Sequence, residues 1–375
     1  MGHNKRIYQM ALTHLPKMGS VFGREVVAKL GGAEVFFEES KERLMSEFEI
    51  KAEVVDDVVR SEAVGRAERN ADWLEKHDVE VLWFEDPEFP ALLNHHLDSP
   101  MILYKKGPLK LNETRMVSVV GSRRATEYGL RYTQKFVEEL APYGACIVSG
   151  LAHGIDACAH RTALNCGLPT VAVLGHGFDR VYPRNHTGLS QEIATSGALL
   201  TEFPPWTPMH PSLFPRRNRI IASLSQATIA MEATGRGGAL TTAGFAFEYQ
   251  RELFALPGTA GLASSEGCNR LIKQQKAHLM ESVSDLVEVM GWNARSGRGA
   301  HGHKSTAEMQ GSLFIELTDE ERELYMAIKE LKEISIDELA RKIGWTIGKI
   351  NACCVGLELK GAVRSTSAKA YYVDS

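Results

Sequence analysis

Long apolar runs are missing from this 375-residue chain: nowhere do about 18 hydrophobic residues follow one another, as a membrane-spanning helix needs. The amino terminus, MGHNKRIYQM, lacks the apolar core of a signal peptide. The six cysteines include no C-x-x-C pair and no framework spacing, and only Cys353 and Cys354 adjoin, so neither a zinc site nor a disulfide scaffold is expected. No G-x-S-x-G turn offers a serine nucleophile. These absences predict a reduced, cytoplasmic protein with no membrane contact and no metal or other cofactor.

What is present is ordinary in bulk and uneven in placement. Hydrophobic residues make up 44% and charged residues 24%, as in a globular protein, and the length suits two or three domains. A net charge of −4 argues against a uniformly basic nucleic-acid coat. Between Val119 and Leu240, however, eleven Lys/Arg face eight Asp/Glu, a local balance of +3. A basic pocket on an acidic protein still steers an anionic partner, because the local field decides.

From about residue 115 to 290, the runs MVSVVG, ACIVSG, PTVAVLG, GALLTE, ATIAMEA and ELFALPG alternate with helical patterns such as EYGLRYTQKFVEEL. Six buried-type strands alternating with helices predict an extended Rossmann-like, doubly wound parallel sheet of the α/β class, whose ligands bind beyond the carboxyl ends of the strands. We expect this domain to span 76–292, with VEVLWFEDPEFPALL and PMILYKKG as short strands leading into it. Before it, 1–75 reads as an N-terminal helical domain, with LTHLPKMGSVFGREVVAKL as a helix-hairpin-helix (SAM-like) module followed by an acidic helical stretch. After it, 293–317 is a polar, Gly/Ser-rich linker, and 318–375 reads as a winged helix. There Thr318 with Glu321 and Ser335 with Glu338 form capping boxes, Thr346 caps a third helix, and two short strands close the chain.

Four glycine-rich strand ends lie on one edge of that sheet. VVGSRRATEYG places Gly121 and Ser122 at a turn and Arg123 beside a helix that Thr126 can cap, an anion site by its N–H groups and charge; it does not carry G-x-G-x-x-G. VSGLAHGIDACAH repeats the device: Ser149, Gly150 and Gly154 let backbone approach a ligand, and Asp156 can cap the helix. LGHGFDRVYPRN and ATGRGGALTTAG, with Gly237 and Gly238, are the other two. One such loop is ordinary turn geometry; four on one edge point to a site. The stretch FPRRNRIIASLS then puts Arg216, Arg217, Asn218 and Arg219 in the first turn of a helix, against its macrodipole, which calls for an external anion or for a carboxylate such as Glu202 or Glu232. Glu232 reads as a partner that orients arginines. Asp156 and His160, four apart, read as a cap and a partly buried histidine, since no third residue completes a metal site.

Several of these blocks, VVGSRRAT, IVSGLAHGIDACAH, LGHGFDRVYPRNH, FPRRNRIIASLS, GGALTTAGFAFE, ALPG and SSEGCNRLIKQ, resemble in order the DNA-processing protein A (DprA, or Smf) family. The resemblance covers essentially the whole chain. It implies an extended Rossmann domain flanked by helical and winged-helix domains. Its implied role is sequence-independent binding and protection of single-stranded DNA during natural transformation, with loading of the RecA recombinase and homodimerisation through the Rossmann domain. It places pocket residues at Arg123, at Ser149, Gly150 and Gly154, and at Arg217 to Arg219. Three positions depart from the family pattern: Gly237 where serine is usual, Ser223 where glycine is common, and Gln250 in place of the glycine before Arg251.

On this reading Arg123, Arg217 and Arg219 neutralise phosphates and Asn218 hydrogen-bonds the strand, while Phe178, Phe203 and Trp206 are candidates for base stacking or for packing. The winged helix carries only Lys349 and Lys360 along TIGKINACCVGLELKG, which fits a regulatory or protein-contact role better than duplex binding. The rival is a nucleotide-binding or nucleotide-hydrolysing Rossmann-like enzyme of the lysine-decarboxylase-like group, with P-G-G-x-G-T-x-x-E. Here Leu240 replaces the third glycine and Gly244 the glutamate, with Glu248 a turn further on. A plain nucleotide sensor would share the pocket and saturate with a mononucleotide.

Overall fold

The computed structural model describes residues 2–294, 324–328, 334–359, 363–365 and 370–372. The chain divides into two compact units, Met1–Ser296 and Gly297–Ser375.

The first unit is built on a nine-stranded sheet. The six expected strands form as β3 (Met116–Gly121), β4 (Cys146–Ser149), β5 (Thr170–Val173), β6 (Ala198–Thr201), β7 (Ala227–Glu232) and β8 (Glu252–Ala255). They are continuously apolar because helices cover both faces of a parallel sheet, and β4 to β7 are buried at every position. Three strands extend it: β1 (Glu80–Trp83), β2 (Ile102–Lys106) and the two-residue β9 (His278–Leu279). The order is β1-β2-β6-β5-β4-β3-β7-β8-β9, parallel from β6 to β9 and antiparallel where β1 meets β2 and β2 meets β6. The chain winds outward from β3 through β4 and β5 to β6, then returns to pair β7 with the other side of β3. Strand order therefore reverses between β3 and β7, and a crevice opens beyond their carboxyl ends.

At the amino end, helices Gly2–His14 and Ser20–Leu30 flank a Pro16–Gly19 turn, as a helix-hairpin-helix reading requires. With the long helix Asp57–Lys76 they bury a core of Met10, Leu12, Val26, Phe36 and Leu74 that runs into Trp83 of β1 and Tyr104 of β2.

The second unit has the elements of a winged helix: a helical turn at 324–328, helices Ile336–Ile343 and Ile347–Leu359, and a three-stranded antiparallel sheet of β10 (Ile334–Ser335), β11 (Arg364–Ser365) and β12 (Ala370–Tyr372) with β12 central. Thr346 Oγ accepts from Lys349 N at 3.4 Å, the expected cap. Ser335 stands directly before its helix. The Thr318–Glu321 box and nearly all of the 293–317 linker lie outside the described residues.

Candidate functional site

A cleft of about 620 Å³ occupies the crevice at the β3/β7 reversal. Its rim and floor come from the four glycine-rich strand ends and from the helix Leu213–Leu224. Gly121, Ser122 and Arg123 contribute from the end of β3, and Glu232 to Thr234 from the end of β7. Gly237 to Leu240 contribute from the start of the helix Gly238–Glu248.

That last helix start is left open toward the cleft. The first N–H groups of a helix have no partner within it. Gly237 stands at the cap with no side-chain bond to them, and Gly238, Ala239 and Leu240 all line the cleft. The other two expected N–H nests are partly engaged by the protein itself. Thr126 Oγ accepts from Gly129 N, closing the helix Glu127–Glu139. Ile155 N donates to the Ser122 carbonyl and Ala157 N to the Ala152 carbonyl, closing the helix Ile155–Asn165.

The glycines expected to admit a ligand are used by the protein itself. A Cβ at Gly150 would overlap the Arg217 guanidinium, and one at Gly154, whose φ is +75°, would overlap the Ser122 carbonyl. Ser149 is fully buried and its hydroxyl donates to the Val119 carbonyl, tying β4 to β3. Asp156 is not the cap of its helix. It lies two residues inside and accepts from the N–H groups of Gly150 and Ala152, folding the preceding loop back onto the helix. Its carboxyl lines the cleft and burial raises its pKa, against the nearby Arg217 charge.

The arginine run begins a turn later than expected. Pro215 is accepted in the first turn of the helix, which starts at Leu213, so Arg216 to Arg219 fall in the second turn. The helical period then separates them. Phe214, Arg217, Asn218 and Ile221 share the face that lines the cleft. Arg217 is only 4% exposed. Its Nη1 donates to the carbonyls of Gly150 (2.6 Å) and Val173, and its Nε to Asn218 Oδ1 at 3.1 Å. Burial lowers its pKa to about 10, with Arg123 adding repulsion. Asn218 in turn donates to the Gly238 carbonyl at 3.2 Å, joining the arginine helix to the glycine helix.

Arg219 is engaged away from the cleft: it donates to the Asp98 carbonyl and to Glu202 at 2.5 Å each, and Glu202 also holds Arg216 at 3.3 Å. Glu202 is thus the compensating carboxylate. Glu232 is not: it accepts from Thr126 N and Oγ at 2.9 and 2.8 Å and, among the described residues, holds no arginine. His160 is fully buried, with Nδ1 on Thr170 Oγ at 2.7 Å and a pKa lowered to about 3, mainly by burial.

Arg123 is exposed at the rim, its guanidinium 5.5 Å from the Phe214 ring. Phe214 and Tyr182, with centroids 5.8 Å apart, form an aromatic wall beside it. Neither ring was among the expected stackers. Phe203 is 4% exposed and Phe178 packs into two hydrophobic clusters, so both serve the core. Phe214 was readable in the sequence: it sits at i−3 and i−4 from Arg217 and Asn218, on their face.

The model of the DNA recombination-mediator protein A family matches residues 80–291, more than half of the chain and all of the cleft. The chain belongs to that family. A second model, the DprA winged helix domain, matches 315–369. Among relatives of this family member, Protein Smf of Synechocystis is 39% identical over 226 residues (58% of this chain, 56% of that protein). Protein Smf of Escherichia coli is 41% identical over 217 residues (58% of each). The match thus spans little more than half the length of these relatives. The X-ray structure of DNA processing protein A from Streptococcus pneumoniae aligns with a TM-score of 0.65 and 31% identity, covering 76% of this chain and 97% of that one. DNA processing protein A from Helicobacter pylori, described for a unique single-stranded DNA binding mode, aligns with a TM-score of 0.52 and 31% identity over 56% of this chain and 95% of that one.

Proposed function

We propose that the β3/β7 cleft binds single-stranded DNA without reading its sequence. The observation that carries this is one rim bearing an exposed arginine, an uncapped helix start and an aromatic wall. Arg123 and the N–H groups of Gly238 to Leu240 meet phosphate, and Phe214 and Tyr182 offer flat apolar faces to bases. Arg217 is the strut beneath: it fixes the ends of β4 and β5 and presents Asn218. Gly121 and Ser122 shape the turn that carries Arg123, with Ser122 Oγ accepting from Arg124 N at 3.1 Å. The Helicobacter protein's single-stranded DNA binding, on a shared fold, supports the reading.

The wider role follows the same family: a homodimer in the cytoplasm that protects entering single strands in transformation and hands them to RecA. The chemistry proposed is binding, not turnover.

Fluorescent oligothymidylates of increasing length, titrated at two salt concentrations against duplex and mononucleotide competitors, test this. Affinity that grows with length, falls with salt and resists duplex supports the reading. Saturation by the mononucleotide alone favours the nucleotide-enzyme or nucleotide-sensor alternative.

A further inference from the structure

Trp206 stands out on the surface beside the cleft. It is 50% exposed and lies in the connection 202–212, which leads through Pro211 into the helix whose first turn, with Phe214 and Pro215, walls the cleft. Its backbone is in the left-handed region, φ +62°, which a bulky residue adopts only when neighbours hold it. Two do. Trp206 N donates to Asp179 Oδ1 at 2.8 Å, and the Trp73 ring meets the indole edge-on, with centroids 5.8 Å apart at 68°. Trp73 is itself stacked on His77 at 3.9 Å. Asp179 belongs to the loop that supplies Tyr182 to the cleft, so the indole is bolted to the same rim as the aromatic wall. The same loop carries two exposed arginines, two residues before and after Tyr182 in the chain: Arg180, paired with Asp179 at 2.6 Å, and Arg184.

A large ring held half in water, in a costly backbone conformation, on the rim whose loop also carries Arg180 and Arg184, matches a stacking platform for a base. From this we infer that Trp206 is an outer stacking site for single-stranded nucleic acid leaving the cleft past Tyr182 and Phe214. The inference rests on the cleft reading, which supplies the strand. Trp206 therefore adds affinity only for oligomers long enough to reach it, and it tolerates any base.

The test compares full-length wild type with Trp206→Gly and Trp206→Phe, using labelled oligothymidylates of about 4 and about 16 nucleotides. Glycine adopts φ +62° freely, so Trp206→Gly removes the ring without opposing the backbone. The longer oligomer is expected to bind Trp206→Gly roughly tenfold more weakly and Trp206→Phe nearly as well as wild type, with the shorter one unaffected. Tryptophan emission of wild type falls when the longer oligomer binds, and falls less in Trp206→Phe. Equal binding of the longer oligomer by wild type and Trp206→Gly, with no difference in quenching, overturns the inference and leaves the cleft reading standing. So does equal loss for both lengths. Failure of wild type to bind either oligomer overturns the cleft reading itself, and the inference with it.

Discussion

Glu202, with a side chain only 6% exposed, is shared by Arg216 and Arg219. Arg219→Ala strands that carboxylate with one exposed partner and frees the Asp98 carbonyl. It is expected to lower unfolding free energy by about 3 kcal/mol, measured by urea denaturation, while a correctly folded fraction keeps its salt dependence of DNA binding. Arg123→Ala is expected to do the reverse: thermal midpoint unchanged, affinity reduced, and the log–log salt slope for single strands shallower by about 0.7. Gln250 has φ +55°, so the family's usual glycine at this position reflects backbone conformation. Gln250→Gly is expected to raise stability by about 0.5–1 kcal/mol in the same denaturation assay. Ser223 is accommodated differently, its hydroxyl donating to the Arg219 carbonyl at 2.7 Å. Motif spelling brought Arg123, Arg217 and Asn218 to one place. It did not separate Arg219 from them, because adjacent letters in a helix point in different directions and only the 3.6-residue period shows which side chains share a face.

Among elements, the parallel strands were the most legible, since each is a short apolar run that must be buried on both faces. Two-residue β9 was not, because a strand that short has no period. The expected start of the arginine helix falls a turn late, because Pro215 reads as a breaker although a helix accepts proline in its first turn. The strand-to-helix glycines were visible, but not their purpose. Gly154→Ala would push a Cβ into the Ser122 carbonyl at a φ of +75°. It is expected to destabilise the protein by about 2 kcal/mol or more, seen as a lower thermal midpoint. A site that merely admits ligand would instead lose affinity with the midpoint intact.

Over the whole molecule, buried neutral histidines make stability depend on pH. His14, hydrogen-bonded to Asn70 at 2.9 Å, is lowered to about 4 by burial and by Arg66, and His160 to about 3. Both titrate near 6.5 when unfolded. The unfolded chain therefore binds more protons below that pH, so stability is fully present above about 6.5 and lost as pH falls toward 4 and then 3. Asp156, raised by burial, opposes this trend in the acid range. The urea midpoint is expected to drop between pH 7 and pH 5, and to drop less in His14→Gln, whose amide can keep the Asn70 bond.

The architecture converges on the β3/β7 crevice, with strand ends, arginine strut, uncapped helix and aromatic wall meeting where the order of strands reverses. The most direct test of that centre is a titration of wild type and Arg123→Ala with oligothymidylates of increasing length at two salt concentrations. Wild-type affinity is expected to rise with length and fall steeply with salt, with the variant weaker, less salt-sensitive and of equal thermal stability. Identical affinities and salt slopes for the two proteins, at every length, would contradict it.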